Sequence, residues 1–133
     1  MSILIGVNDV WHEFNHANGV SNEKFEVIYD MIISEILKEL PKIKIMILAP
    51  YVVKGTATEE KWDEFKNEVA KRAETAKRIA EKYNLKYITL QDKFDTKANI
   101  VPEPYWTMDG VHPSYPGHEL IAREWIKAFE EIK

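Results

Sequence analysis

Three short apolar runs, separated by amphipathic stretches of helical length, leave this chain few ways to fold. Ser2 to Gly6, Ile43 to Ala49 and Lys86 to Gln91 carry little of the polar alternation of a half-exposed strand, and they read as strands covered on both faces. The second run is bounded by Pro50, with Val52 and Val53 just beyond it. Between the first two runs, Asn22 to Leu40 sets Phe25, Ile28, Tyr29, Ile32, Ile36, Leu37 and Leu40 three and four apart. Ser21 or Asn22 serves as cap, Glu23 lies in the first turn, and Pro41 ends the segment, which predicts an amphipathic helix. Thr56 and Glu59 form a capping-box pattern for a long helix to about Tyr83, with an inner face of Trp62, Phe65, Val69, Ala73, Ala76, Ile79, Ala80 and Tyr83. Asn84 suits its C-terminal stop. The segment Asp92 to Met108, with Pro102, Pro104 and the aromatics Tyr105 and Trp106, reads as an irregular loop, and a loop of that length usually has a function. Pro116 to Ile132 closes the chain as a third helix facing inward through Leu120, Ile121, Trp125, Ala128, Phe129 and Ile132. Strands alternating with helices in this way predict a single α/β layered domain over residues 1–133, with a parallel sheet and right-handed crossovers.

A parallel sheet of three strands is small, and such sheets are normally covered and have protected edges. The Ser2 to Gly6 run is too apolar for an open edge. The expectation is therefore that a segment before Met1 covers it, or that another chain does, giving a homo-oligomer through the exposed first strand. With 45% apolar residues in 133, one core can form without staples. The net charge is −4 and no basic stripe interleaves with aromatics, so nucleic acid is not expected as a partner. Cysteine is absent, which excludes disulfides, thiolate chemistry and Cys-based zinc sites and fits either redox compartment. No run reaches the roughly 18 to 20 apolar residues of a membrane span. The Met1 to Ile5 start lacks the basic region and length of a signal peptide. As given, the chain reads as soluble and cytoplasmic, and the compartment of a longer parent stays open.

Two clusters can carry chemistry. Gly6-Val7-Asn8-Asp9 leaves the first strand at its carboxyl end, where open α/β sheets place ligands. Asn8 can aim an amide N–H outward there, or Asn8-Asp9 can simply form an Asx turn. In Asp109-Gly110-Val111-His112-Pro113 the carboxylate precedes the imidazole by three residues with a glycine between. That spacing lets the acid reach Nδ1 and leave Nε2 free as a base; the plainer reading is a turn with a solvated histidine. His118, within the last helix, has no such partner and reads as a surface or packing residue.

Together these blocks, followed by Gly117-His118, resemble the third and fifth sequence blocks of the SGNH (GDSL-type) hydrolase superfamily, in the right order and across essentially the whole chain. The resemblance implies a flavodoxin-like three-layer fold, of which the last three strands and three main helices are present. It further implies ester hydrolysis, with His112 as general base, Asp109 as its orienting acid and Asn8 as an oxyanion donor. Gly6, Trp11, Pro50 and Trp106 would line the substrate side. The substrate class would be a small ester or an acetylated carbohydrate, and no cofactor or metal is needed. The family's Gly-Asp-Ser block and its second glycine block have no counterpart here. Of Ser2, Ser21, Ser34 and Ser114 none follows Gly-Asp, and Ser114 reads as a helix cap. The chain is thus expected to be the C-terminal part of such a domain and inactive alone.

His12-Glu13-Phe14-Asn15-His16 competes with this reading, because it matches H-E-x-x-H, the two-histidine zinc pattern of metalloproteases. The pattern requires a helix, whereas here it follows a strand and runs into Asn18-Gly19, a turn signal. The expectation is a loop shaping the substrate mouth, with Trp11 as an apolar wall. A non-catalytic module binding a carbohydrate or acyl group is the other alternative.

Overall fold

A computed structural model describes all 133 residues. The strands are β1 (Ser2–Ile3), β2 (Met46–Leu48) and β3 (Lys86–Ile88), and the helices are α1 (Val7–His16), α2 (Asn22–Glu39), α3 (Trp62–Lys82), α4 (Gln91–Ala98) and α5 (Tyr115–Ile132). The sheet order is β1-β2-β3, all parallel, with Ser2 opposite Met46 and Met46 opposite Lys86. This is the predicted α/β fold with a parallel sheet, although the strands are shorter than the apolar runs that contain them.

Alternation along β2 explains why Ile45 to Ala49 is wholly apolar. Met46 and Leu48 join Ile88, Leu90, Phe94, Leu120 and Ala128 in a core beneath α4 and α5. Ile45 and Ile47 point the other way, into a core with Phe25, Tyr29 and Ile33 of α2 and Ala76, Ile79 and Ala80 of α3. Successive side chains point to opposite faces, so a strand between two helical layers has no polar position to spare. The three layers are completed by a third cluster at the carboxyl ends of the strands, where Val10 of α1 meets Val52, Phe65, Val69 and Val111.

The helix ends follow local chemistry. The Ser21 hydroxyl accepts the Lys24 N–H and that of Ser114 accepts the Gly117 N–H, so both serines are N-caps. Asn84 sits at φ 52 just past α3, the left-handed stop expected of it. Three expectations require correction. Two shorter helices, α1 and α4, accompany the expected three main ones, α2, α3 and α5. Residues Val7–His16 are α1 and not a loop, because Val7, Val10, Trp11 and Phe14 share the face that packs on Phe65 and Val69. Asp92 to Met108 is not irregular throughout: α4 covers its start and a 3-10 turn spans Glu103–Tyr105. Phe94 anchors α4 by stacking on Tyr51 at 4.1 Å between ring centroids. The Thr56 capping box does not form, since a 3-10 turn at Glu59–Lys61 precedes α3, which begins at Trp62.

No helix is long and apolar enough to cross a membrane. The β1 edge has no neighbour within the chain; beside it Leu4 and Ile5 are exposed, as are Ile28, Met31 and Ile32 on α2.

Ile47 is fully buried between α2 and α3, so Ile47→Ala should destabilise the chain by about 2–5 kcal/mol. Exposed Ile100→Ala should stay within ~0.5 kcal/mol of wild type. Urea midpoints at constant m-value measure both.

Candidate active site

The Asp109–Pro113 segment is held by the turn that follows β2. The Val53 N–H donates to the Gly110 carbonyl at 2.8 Å and the Ala57 N–H to the Asp109 carbonyl at 2.9 Å. Thr58, itself buried, donates its hydroxyl to the Val53 carbonyl at 2.8 Å and accepts the Gly55 N–H at 2.9 Å, which braces that turn. Gly110 has φ 103, and a Cβ there would lie 2.5 Å from the Val53 oxygen and 2.7 Å from Thr58 Oγ1. Only glycine tolerates both the angle and the approach.

On this support Asp109 organises His112. One carboxylate oxygen accepts the backbone N–H groups of Val111 at 2.9 Å and His112 at 2.8 Å. The other receives His112 Nδ1–H at 2.7 Å. Burial is the strongest single influence on Asp109 and pushes its carboxyl up, but the three hydrogen bonds and the imidazole charge together outweigh it, so the group lies below its ordinary value. The acid therefore stays ionised near neutrality, fixes the ring tautomer, and leaves Nε2 without a partner on a side chain that is 53% exposed. Trp11 of α1 lies edge-on to His112, with centroids 5.4 Å apart, and forms a wall beside the imidazole.

Gly6 is buried and adopts φ 119 as the residue before α1. A Cβ on it would press on Phe25, Arg72 and Pro50 at 3.2–3.3 Å, so its role is the sharp turn from β1 into α1. That turn places Asn8, exposed, in the first turn of α1. Pro50 is buried and lines an apolar groove of about 280 Å³ with Leu4, Val7, Tyr51, Val111 and His118. Trp106 belongs elsewhere: its indole N–H donates to the Val101 carbonyl at 2.8 Å, and it lines a separate depression with Tyr105, Tyr115 and Arg123. The structure thus gathers Trp11, Asp109 and His112, sets Gly6 against Pro50, whose groove Val111 also lines, and places Trp106 in a different cavity.

Sequence reasoning missed two residues. Tyr51 carries a buried hydroxyl without a partner, and burial together with the Asp109 charge raises its phenol, keeping it a neutral donor at the groove. Gln91, the first residue of α4, accepts the Val52 N–H at 3.0 Å and donates to the Val52 carbonyl at 2.9 Å, pinning the segment that leads into the supporting turn. A glutamine at the end of a strand run gives no pattern by which this could be found.

The H-E-x-x-H stretch does lie on a helix, contrary to expectation. Glu13, however, accepts the Gly19 N–H at 3.0 Å, and no group of three His, Cys, Asp or Glu side chains is placed to hold a metal. The peptidase arrangement is absent.

Gly110→Ala should destabilise the chain by more than ~1 kcal/mol and free the His112 ring from Asp109. Urea denaturation reads the first effect, and loss of the hydrogen-bonded Nδ1–H resonance in NMR the second.

A model of the GDSL-like lipase/acylhydrolase family matches residues 1–120. An acetylxylan esterase from Geobacillus stearothermophilus is 26% identical over 137 residues, spanning 100% of this chain and 61% of that protein. Among solved structures, a Parabacteroides merdae protein assigned as a GDSL-like lipase superposes with a TM-score of 0.87 at 30% identity, over 96% of this chain and 58% of that one. The structure of the Geobacillus stearothermophilus acetylxylan esterase superposes at 0.79 with 25% identity, over 96% and 57%. The chain spans about three-fifths of the length of these relatives. With a family match over nearly its whole length and an Asp109–His112 pair at bonding distance, the chain belongs to the GDSL-like lipase/acylhydrolase family.

Proposed function

We propose that these residues form the acid, base and oxyanion side of a serine-dependent ester hydrolase acting on an acetylated carbohydrate or a short acyl ester. The observation that carries this reading is the Asp109–His112 hydrogen bond of 2.7 Å with Nε2 left free. In this mechanism Nε2 takes the proton of an attacking serine hydroxyl and then gives it to the departing alcohol. Asp109 holds the ring and stabilises the imidazolium formed in between. Asn8 donates to the developing oxyanion, for which such a group contributes about 3–4 kcal/mol to barrier lowering. The acetyl-carbohydrate preference rests on the acetylxylan esterase named above.

The nucleophile in this reading is not one of the four serines here. Ser2 accepts the Trp125 indole N–H at 2.9 Å, Ser21 and Ser114 cap helices, and Ser34 lies exposed within α2. The Ser114 hydroxyl also donates to the Tyr105 carbonyl at 2.6 Å, so its proton is committed. The 133 residues alone should therefore leave p-nitrophenyl acetate unhydrolysed above buffer and resist labelling by a fluorophosphonate. Joined to a serine-bearing segment equivalent to the part of the Geobacillus esterase that it does not span, the chain should hydrolyse the ester. His112→Ala should then lower kcat by about 10⁴-fold or more and Asn8→Ala by about 10²–10³-fold, with His16→Ala near wild type. Turnover by the isolated chain with Ser114 labelled would overturn the reading. Saturable ester binding without turnover in the joined protein would instead favour a non-catalytic module.

We further propose that in isolation the β1 edge pairs with a second copy. An unpaired strand flanked by Leu4, Ile5 and the exposed α2 residues Ile28, Met31 and Ile32 supports this. Glu26 and Asp30 of α2 pair with Arg78 and Lys82 of α3, so the apolar stripe lies on the flank of α2 away from α3. Sedimentation equilibrium should give a dimer; a monomer with rapidly exchanging Ile3 and Leu4 amides would refute it.

A further inference from the structure

The hydrolytic reading leaves one motif unused. His12 and His16 lie four residues apart on α1, both exposed, with ring centroids 6.0 Å apart. Residues at this spacing are neighbours on a helix surface, and the pair opens onto a depression of about 240 Å³ lined only by Trp11, His12, Asn15 and His16. No salt bridge engages either ring, whereas Glu13 between them is turned to the Gly19 N–H.

An ion bound by two imidazole nitrogens at ~2.0–2.1 Å, at angles of ~90–109°, would set the ring centroids about 4.5–5 Å apart. The observed separation is within roughly 1–1.5 Å of that value, a distance that exposed side chains cover by small rotations about staggered bonds. Hard cations prefer oxygen donors, whereas two neutral imidazoles suit zinc, nickel or copper.

We propose that His12 and His16 chelate one divalent transition-metal ion on the outer face of α1. The two nitrogens occupy part of its coordination sphere. The rest stays open to water, one molecule of which the Asn15 amide can hydrogen-bond from the same wall. With no third protein ligand, this is neither a closed structural site nor a peptidase centre, and no step of ester hydrolysis passes through it. Trp11 forms one wall of the depression and also lies against His112, so the ion would sit at the rim of the site that holds the general base. Transition-ion binding is thereby placed beside, but outside, the hydrolytic residues.

Titrating the 133-residue chain with zinc chloride while recording imidazole nitrogen resonances tests this directly. The expected result is one ion per chain, with the His12 and His16 nitrogens shifting together. His12→Ala and His16→Ala should each weaken zinc binding by at least tenfold in calorimetry, and His118→Ala should bind as wild type. Circular dichroism confirms that the variants keep their helices, and the resonance shifts need no variant. Zinc-dependent shifts at His112 or His118 instead, unchanged affinity in His16→Ala, or no binding up to millimolar zinc would each overturn the proposal.

Discussion

The geometry of the candidate site depends on a backbone interlock between the turn after β2 and the Asp109–Gly110 peptide. Two N–H groups from residues 53 and 57 carry two carbonyls from residues 110 and 109, and Thr58 ties the turn to itself. Unpaired peptide groups would be costly where Gly110 and Val111 are buried. The loop therefore has one low-energy position, and the carboxylate of Asp109 inherits it. The general-base role proposed for His112 would need such support, because catalytic geometry tolerates only small displacement.

Around that interlock the layers have separate duties. The α2–α3 and α4–α5 faces bury the two sides of β2 and give the sheet its stability. The cluster of Val10, Val52, Phe65, Val69 and Val111 is smaller and joins four segments, α1, the turn after β2, α3 and the Asp109–Pro113 loop. It brings α1 against the Asp109–His112 loop, so Trp11 reaches the imidazole.

Much of this was legible in the residues themselves. The apolar Ile43 to Ala49 run reads as a strand covered on both faces, and three- and four-residue spacing located α2, α3 and α5, although α2 turns Phe25, Tyr29 and Ile33 inward and leaves the expected Ile28, Ile32 and Leu40 exposed. The Asp109–His112 pairing was readable too, because three residues with an intervening glycine suffice for the contact. Helix α1 was hidden by its neighbourhood. An apolar run ending in glycine and followed by Asn-Asp suggests a turn, while the face formed by Val7, Val10, Trp11 and Phe14 acquires meaning only once α3 lies beside it. Helix α4 has the same character: Phe94 is its one fully buried anchor, and its partner Tyr51 is remote in sequence. The direction of Trp106 was not legible because an aromatic before Asp109 has two ways to face, and the hydrogen bond from its indole to Val101 decides between them.

The Trp11–His112 contact joins the first tenth of the chain to its last fifth, so the intervening hundred or so residues must be enclosed before it can exist. Closing so long a segment carries an entropic cost that local helices do not bear, and contacts of large sequence separation slow folding. Individual helices can form early, but the wall and the base meet only when the sheet and all its layers have come together. The Trp11–His112 corner is thus a late product of folding, and its integrity reports on the completeness of the whole domain.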